Sequence, residues 1–255
     1  MAKKDIEAQI KKGGLKENFI CLPDPSDPYK WYYVVYGIEE PKEYKGGYYL
    51  GVISCPDTYP AKAPRIDILT DNGRFRVKEK SEGICLSVSH HHPESWNPAW
   101  KVNQIVIGLI SFWITNEDTY GAYYDHEFKN QKDFKPSENR QLMAMDSRDQ
   151  VLSHEKFIEI FGEYTDALGI KIAPRPEEWT VLQAKRETVN ARIAAEAEQK
   201  RIAEELRLEK ERIKQEQEEL KRKANLVKDY FKHLQKKDLT RYIGAPKRMQ
   251  VDKVA

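Results

Sequence analysis

From Glu177 to Ile243 the chain runs for 67 residues without a glycine or a proline. Nothing in that stretch breaks a helix, and a single α-helix of that length would span on the order of 100 Å at about 1.5 Å per residue. Residues 196–223 hold nine acidic and nine basic side chains among 28. Their signs interleave at spacings that allow i,i+4 pairs, each worth about 0.2–0.5 kcal/mol in a helix. Leu206, Ile213, Leu220, Val227 and Leu234 repeat at seven, but the companion positions Glu209, Glu216 and Lys223 are charged. That is one row of knobs, not a full coiled-coil seam. Two readings stand: a solvated, self-supporting helix, or a helix lying along a protein partner through that one row.

The rest of the chain is of another kind. Residues 1–173 carry 23 of the 27 aromatic residues, 12 of 13 glycines and 10 of 13 prolines, with a net charge of −4 against +6 for residues 174–255. Charged residues make up 33% of the whole, above the roughly 25% of an average domain, and the helical tail accounts for the excess. The boundary is expected at Pro174 and Pro176, giving a globular domain over 1–173 and a charged helix with its extension over 174–255. The net charge of +2 excludes a grossly basic nucleic-acid protein. No phosphate loop, dinucleotide fingerprint or nucleic-acid motif appears, and no cofactor is expected. Three cysteines, Cys21, Cys55 and Cys85, suit free thiols in a reducing compartment. The N-terminus has no apolar signal core, and the longest apolar run, Ile105–Ile114, is too short to span a membrane. The expectation is a soluble, cytoplasmic protein.

Within 1–173, residues 2–12 read as a short helix, with Ile6 and Ile10 one turn apart and Gly13-Gly14 as the stop. Four β-rich runs follow: Phe19–Leu22, Trp31–Ile38, Tyr48–Ser54 and Arg65–Thr70. Each is close to the next, so an antiparallel meander is the simplest topology. Residues 71–100 then carry no long periodic element, and irregular stretches of that length are often functional. Helical periodicity returns at 101–114, 137–148 and 153–168, with Ser137 and Ser153 as N-caps and Gly169 as a C-terminal cap. Helix, four strands, irregular segment and helices make an α+β domain.

Chemistry is best sought in the irregular stretch. Cys85, in Gly83-Ile84-Cys85-Leu86-Ser87, reads either as an accessible nucleophile or as a buried small hydrophobe. His90-His91-His92 admits three readings. Consecutive residues point to different sides and meet poorly at one metal ion, and no zinc-like spacing follows, so no metal is expected. A Cys–His pair with Cys85 lacks any protease signature. The third reading is a polar turn before Pro93. Asn72-Gly73 reads as a turn, or as an amide donor to an oxyanion.

Taken in order, Asn72-Gly73-Arg74-Phe75, Ile84-Cys85-Leu86-Ser87 and His91-His92-Pro93-Glu94-Ser95-Trp96-Asn97-Pro98-Ala99-Trp100 closely resemble the ubiquitin-conjugating enzymes. They are most similar to the J-type branch, which works in endoplasmic-reticulum quality control. Trp31–Val35, Tyr44–Tyr49 and Tyr59–Pro64 agree, so the resemblance covers about residues 3–168. It implies the ubiquitin-conjugating fold. It implies a thioester on Cys85, taken from the ubiquitin-activating enzyme and passed to lysine, with serine or threonine hydroxyls also associated with the branch. Asn72 matches the family's asparagine, as oxyanion donor or loop support, and Glu117 and Asp118 fall where the family has an acidic gate. A RING-type ligase is implied on a surface built from the first helix, Tyr59, Pro60, Ala61, Pro98 and Ala99.

The sequence departs from that pattern in three places. Relatives carry a large apolar anchor where Ala61 stands and Pro where Ala63 stands. The Gly73–Ile84 stretch is longer than in J-type relatives. J-type members end in a membrane anchor, and here a charged helix is expected in its place. Two functions therefore compete: an active conjugating enzyme docked through its helix, and a conjugating-enzyme fold kept as a scaffold subunit of a large assembly.

Overall fold

The computed structural model describes residues 18–78, 82–115, 117–124 and 133–242, with side chains to 235, together with Lys4 and Glu7. Both of those isolated residues are helical; the rest of the helix expected over 2–12 lies outside the described residues, as do residues 79–81 of the lengthened loop.

Four strands form one antiparallel sheet in sequence order: β1 (Phe19–Pro23), β2 (Lys30–Tyr36), β3 (Tyr48–Ser54) and β4 (Arg65–Ile68). The meander is the one expected. The strand period of two sends Phe19, Cys21, Tyr33, Val35 and Tyr49 into one core cluster, and Ile20, Leu22, Tyr32, Val34, Tyr48 and Leu50 into another. Both faces are covered. That is why β2 reads as an unbroken run of aromatic and β-branched residues rather than an alternation. The expected fourth strand ended at Thr70, but the ladder stops at Ile68. Beyond it the Thr70 hydroxyl, not a backbone carbonyl, accepts the Leu50 N–H at 3.0 Å.

Helix α1 (Val102–Thr115) buries Ile105, Val106, Leu109 and Trp113 against the first face. Trp113 is fully buried, with its ring 4.6 Å from Tyr49, 5.2 Å from Phe75 and 6.1 Å from Tyr44. Helix α2 (Pro136–Ser153) contributes Leu142, Ala144 and Met145 to that face and Val151 to the other. Helices α3 (Glu155–Phe161) and α4 (Thr165–Leu168) close the second face, and Gly169 caps α4 in the left-handed conformation. The serine caps expected for these helices are corrected. Pro136 opens α2, since its missing N–H costs nothing at a first helical position. Glu138 then accepts the Lys135 backbone N–H at 2.7 Å. The imidazole Nδ1 of His154, not Ser153, accepts from Lys156 N at the start of α3.

Helix α5 (Glu177–Tyr242) is continuous over the Gly- and Pro-free stretch. The chain divides into two compact units, Met1–Val189 and Asn190–Ala255. The first unit thus reaches beyond the residue 173 that the prolines suggested, because Trp179 and Leu182 are buried in its core. A Cβ on Gly46 would stand 2.9 Å from Pro176 and 3.2 Å from the Trp179 ring, so only glycine permits this docking. Arg148 locks it from the other side. Its guanidinium donates to the carbonyls of Gly46, Ala173 and Pro174 at 2.8, 2.8 and 3.1 Å, and lies over the Tyr48 and Trp179 rings. Trp179→Ala removes this wedge, and urea unfolding followed by circular dichroism is expected to show a loss of about 3–5 kcal/mol, the usual cost of a buried tryptophan.

Candidate active site

The irregular stretch after β4 passes under α1 without a ladder of its own, so its backbone groups must be satisfied piece by piece. Ile84 N donates to Ile66 O at 2.8 Å and Cys85 N to Tyr120 O at 3.1 Å. The Thr119 hydroxyl donates to Cys85 O at 2.6 Å. Ile84 and Leu86 are 1% and 5% exposed in the core, and the residue between them is turned outward. Cys85 is therefore half-exposed on a backbone fixed from both sides. Gly83, just before, has φ +102°, and a Cβ there would stand 3.0 Å from the His90 ring. Burial pushes the Cys21 thiol up to about 12 and that of Cys55 to about 11, far from ionisation at neutral pH.

Asn72 is fully buried. Its amide nitrogen donates to Thr70 O at 3.0 Å and Phe75 O at 2.9 Å, while its oxygen accepts from Arg74 N at 2.9 Å and Phe75 N at 2.7 Å. Both amide hydrogens are committed inside the turn. Gly73, at φ +72°, packs on Arg140, whose Nε donates to Gly73 O at 3.1 Å. Arg74 extends from the same turn. Its guanidinium is buried over the rings of Phe75 and Phe112 and donates to the backbone carbonyl of Glu117. The turn and the 117–120 segment that crosses the thiol are thus one assembly. The carboxylates of Glu117 and Asp118 are exposed.

The three histidines separate. His90 is drawn below the usual imidazole pKa by burial, with His91 and Arg65 adding to the effect, and its ring lies 4.0 Å from that of His91. His91 faces the Tyr120 ring at 5.5 Å. His92 turns the other way: its Nε2 is 3.0 Å from Cys85 Sγ and its Nδ1 is 2.8 Å from Glu94 Oε1. Glu94 was not singled out in the sequence, and neither were Arg74 and Thr119. For Glu94 the signal was present, as a carboxylate two residues beyond a histidine that itself follows the cysteine by seven. Among the described residues no three of His, Cys, Asp and Glu are grouped to hold a metal ion.

The proposed partner surface is also braced. Trp96 Nε1 donates to Pro60 O at 2.8 Å, the Tyr59 hydroxyl reaches Trp100 O at 3.4 Å, and Trp96 packs 6.0 Å from Tyr59 and 5.7 Å from Trp100. These contacts join the 59–64 loop to the 96–100 turn and leave Pro60, Ala61, Pro98 and Ala99 exposed on it. Ala63, in contrast, is buried. In the second unit Leu206, Ile213, Leu220, Val227 and Leu234 are between 38% and 67% exposed.

Residues 3–142 match the family model described as ubiquitin-conjugating enzyme. Over 154 residues the chain is 36% identical to the human ubiquitin-conjugating enzyme E2 J2, which covers 60% of this chain and 54% of that protein. It is 33% identical over 145 residues to a ubiquitin-conjugating enzyme E2 J2-like protein of Dictyostelium discoideum, 57% of this chain and 77% of that one. It is 45% identical over 103 residues to the ubiquitin-conjugating enzyme E2 34 of Arabidopsis thaliana, covering 40% and 42%. A meander sheet flanked by helices, with a half-exposed cysteine in the loop between the sheet and α1, is the architecture of that class, and the chain belongs to the ubiquitin-conjugating enzyme family. Its similarities fall in the J-type branch. The chain spans about half the length of the curated relatives it matches first. Among the described residues no helix is long and apolar enough to cross a membrane.

Asn72→Ala would leave the buried N–H groups of Arg74 and Phe75 without acceptors. Each such orphan costs about 1–3 kcal/mol. The variant is expected to unfold at a temperature lower by several degrees in a calorimetric scan, at about 2–4 °C per kcal/mol for a domain of this size.

Proposed function

We propose that this protein conjugates ubiquitin through Cys85. The single observation that carries the reading is the placement of that thiol, half-exposed between two buried anchors in a loop whose backbone is pinned. In the first step Cys85 Sγ attacks the thioester that links ubiquitin to its activating enzyme, and the acyl group moves to Cys85. In the second, the amine of an acceptor lysine attacks the new thioester and Cys85 leaves as thiolate; a serine or threonine hydroxyl is the second class of acceptor. Asn72 acts by holding the turn beside the thiol rather than by donating to the oxyanion, since both its amide hydrogens are spent within that turn. The exposed carboxylates of Glu117 and Asp118 serve as the acidic gate for the acceptor.

A RING-type ligase is proposed to seat on Pro60, Ala61, Pro98 and Ala99, with Tyr59 supporting them from behind. The platform is rigid but has no large apolar side chain at Ala61. Interface anchors carry much of a complex's free energy, so binding relies on shape and backbone contacts there. The row Leu206, Ile213, Leu220, Val227 and Leu234 is proposed to receive a protein partner.

A charging assay tests the core of this reading. The protein is incubated with ubiquitin, activating enzyme and ATP and resolved on a non-reducing gel. The expected product is a thiol-sensitive band of protein plus one ubiquitin, absent in Cys85→Ala. No band from folded protein, beside a working control enzyme, would sink the conjugating reading and favour a scaffold role for the fold.

A further inference from the structure

His92 and Glu94 have no part in the scheme above, yet the structure has built them into the thiol loop. Ser89 is fully buried between them and Cys85. Its hydroxyl donates to Leu86 O at 2.8 Å and accepts from Leu86 N at 3.0 Å, and its own N–H donates to Leu86 O at 2.8 Å. His92 N then donates to Ser89 O at 3.0 Å, and Ser95 N to His92 O at 3.0 Å. Thiol and imidazole therefore sit at the two ends of one tightly tied turn. Neither depends on a mobile side chain of another element to find its partner.

The hydrogen bonds also decide where the proton resides. A carboxylate only accepts, and a neutral imidazole has one N–H to give. The hydrogen bond from His92 holds the Glu94 carboxyl below its usual range, so Glu94 is ionised at neutral pH. The neutral tautomer that satisfies both contacts carries its hydrogen on Nδ1 toward Glu94 Oε1 and leaves the lone pair of Nε2 toward Cys85 Sγ. Nucleophile, base and orienting carboxylate are in hydrogen-bond sequence, the arrangement that activates a weak nucleophile.

We propose that Cys85, His92 and Glu94 form a proton relay, in which His92 takes the thiol proton as Cys85 attacks an incoming thioester and returns it to the departing thiolate. The step balances. A bond forms between Cys85 Sγ and the acyl carbon, the bond from that carbon to the old sulfur breaks, and the old sulfur leaves with the electron pair. The proton held on Nε2 then neutralises it. Glu94 touches no reacting atom and is a positioning residue. The other titratable groups around the pair are His90 and His91 on the same turn, and Glu117, Asp118 and Tyr120 on the segment bonded to the Cys85 backbone. The proposal rests on the conjugating reading only for the identity of the thioester.

The test needs no ubiquitin. The full chain is alkylated with iodoacetamide from about pH 6 to about pH 9, and modification at Cys85 is read by peptide mass spectrometry. Cys21 and Cys55, both held protonated by burial, are internal references. An unassisted thiol ionises near pH 8.5 and is only about 1% thiolate two pH units lower. Cys85 in the natural protein is expected to react about tenfold faster than in His92→Gln near pH 6.5, with the rates converging above about pH 9. Glu94→Gln is expected between the two. The His92 side chain is partly exposed and that of Glu94 mostly so, at 41% and 67%, and neither belongs to the core, so the fold survives either change, and circular dichroism verifies it. A His92→Gln profile identical to the natural one overturns the relay. So does an equal change at every pH, which would report altered access rather than proton transfer. Should the natural protein show the pH profile but fail to charge with ubiquitin, the relay stands and the conjugating reading falls.

Discussion

Every buried amide and carbonyl in the thiol loop must find a partner without a helix or a ladder to supply one. That constraint organises the site. Side chains replace the missing secondary structure: Asn72 closes one turn with four hydrogen bonds, Ser89 closes another with its hydroxyl, and Thr119 takes the carbonyl of the thiol-bearing residue. Arg74 spans from the first turn to the 117 carbonyl. The result is an irregular backbone that is nevertheless held at many points, so the Cys85 thiol is presented in one geometry.

The strands were the most legible part of the sequence because both faces of the sheet are buried. Trp31–Ile38, dense in aromatic and β-branched residues, reads as a strand, which the structure runs from Lys30 to Tyr36, and its neighbours follow from short connections. Ends were less legible, since they depend on hydrogen bonds that residue type does not announce. Thr70 looks like a strand residue, but its hydroxyl diverts the ladder. Ser137 and Ser153 look like caps, but Pro136 and His154 occupy those roles. The prolines at 174 and 176 marked a real break in helix, not the edge of the compact unit. Trp179 and Leu182, three apart on one helix face, place the start of the helix inside the core, while Val181 between them is exposed.

The candidate site divides along the same line. Cys85 stands out by its place in the irregular stretch, where residue type alone leaves nucleophile and buried thiol open, and Asn72 by its turn; the roles expected of both come from the resemblance. Which of three adjacent histidines meets the thiol was not readable, because that depends on how the turn closes at Ser89. His90 and His91 pack ring against ring, His91 meets the Tyr120 ring edge-on, and His92 is the one placed against Sγ. Asn72 shows the reverse case: its residue type permits an oxyanion donor, but the closed turn leaves no amide hydrogen free to act as one.

The 59–64 loop touches the site from behind. Pro60 O accepts from Trp96 and Pro64 O accepts from His90 N, so this one loop anchors both the exposed platform and the turn that carries His92. Between those two anchors lie Ala61, small and exposed where the resemblance leads one to expect a large apolar side chain, and Ala63, buried against the core. A partner that seats on Pro60 and Ala61 therefore rests on the same backbone that positions the imidazole. With no large anchor to insert, such a partner must recognise the shape of that backbone. Its affinity and the geometry of the Cys85–His92 pair then depend on the same loop.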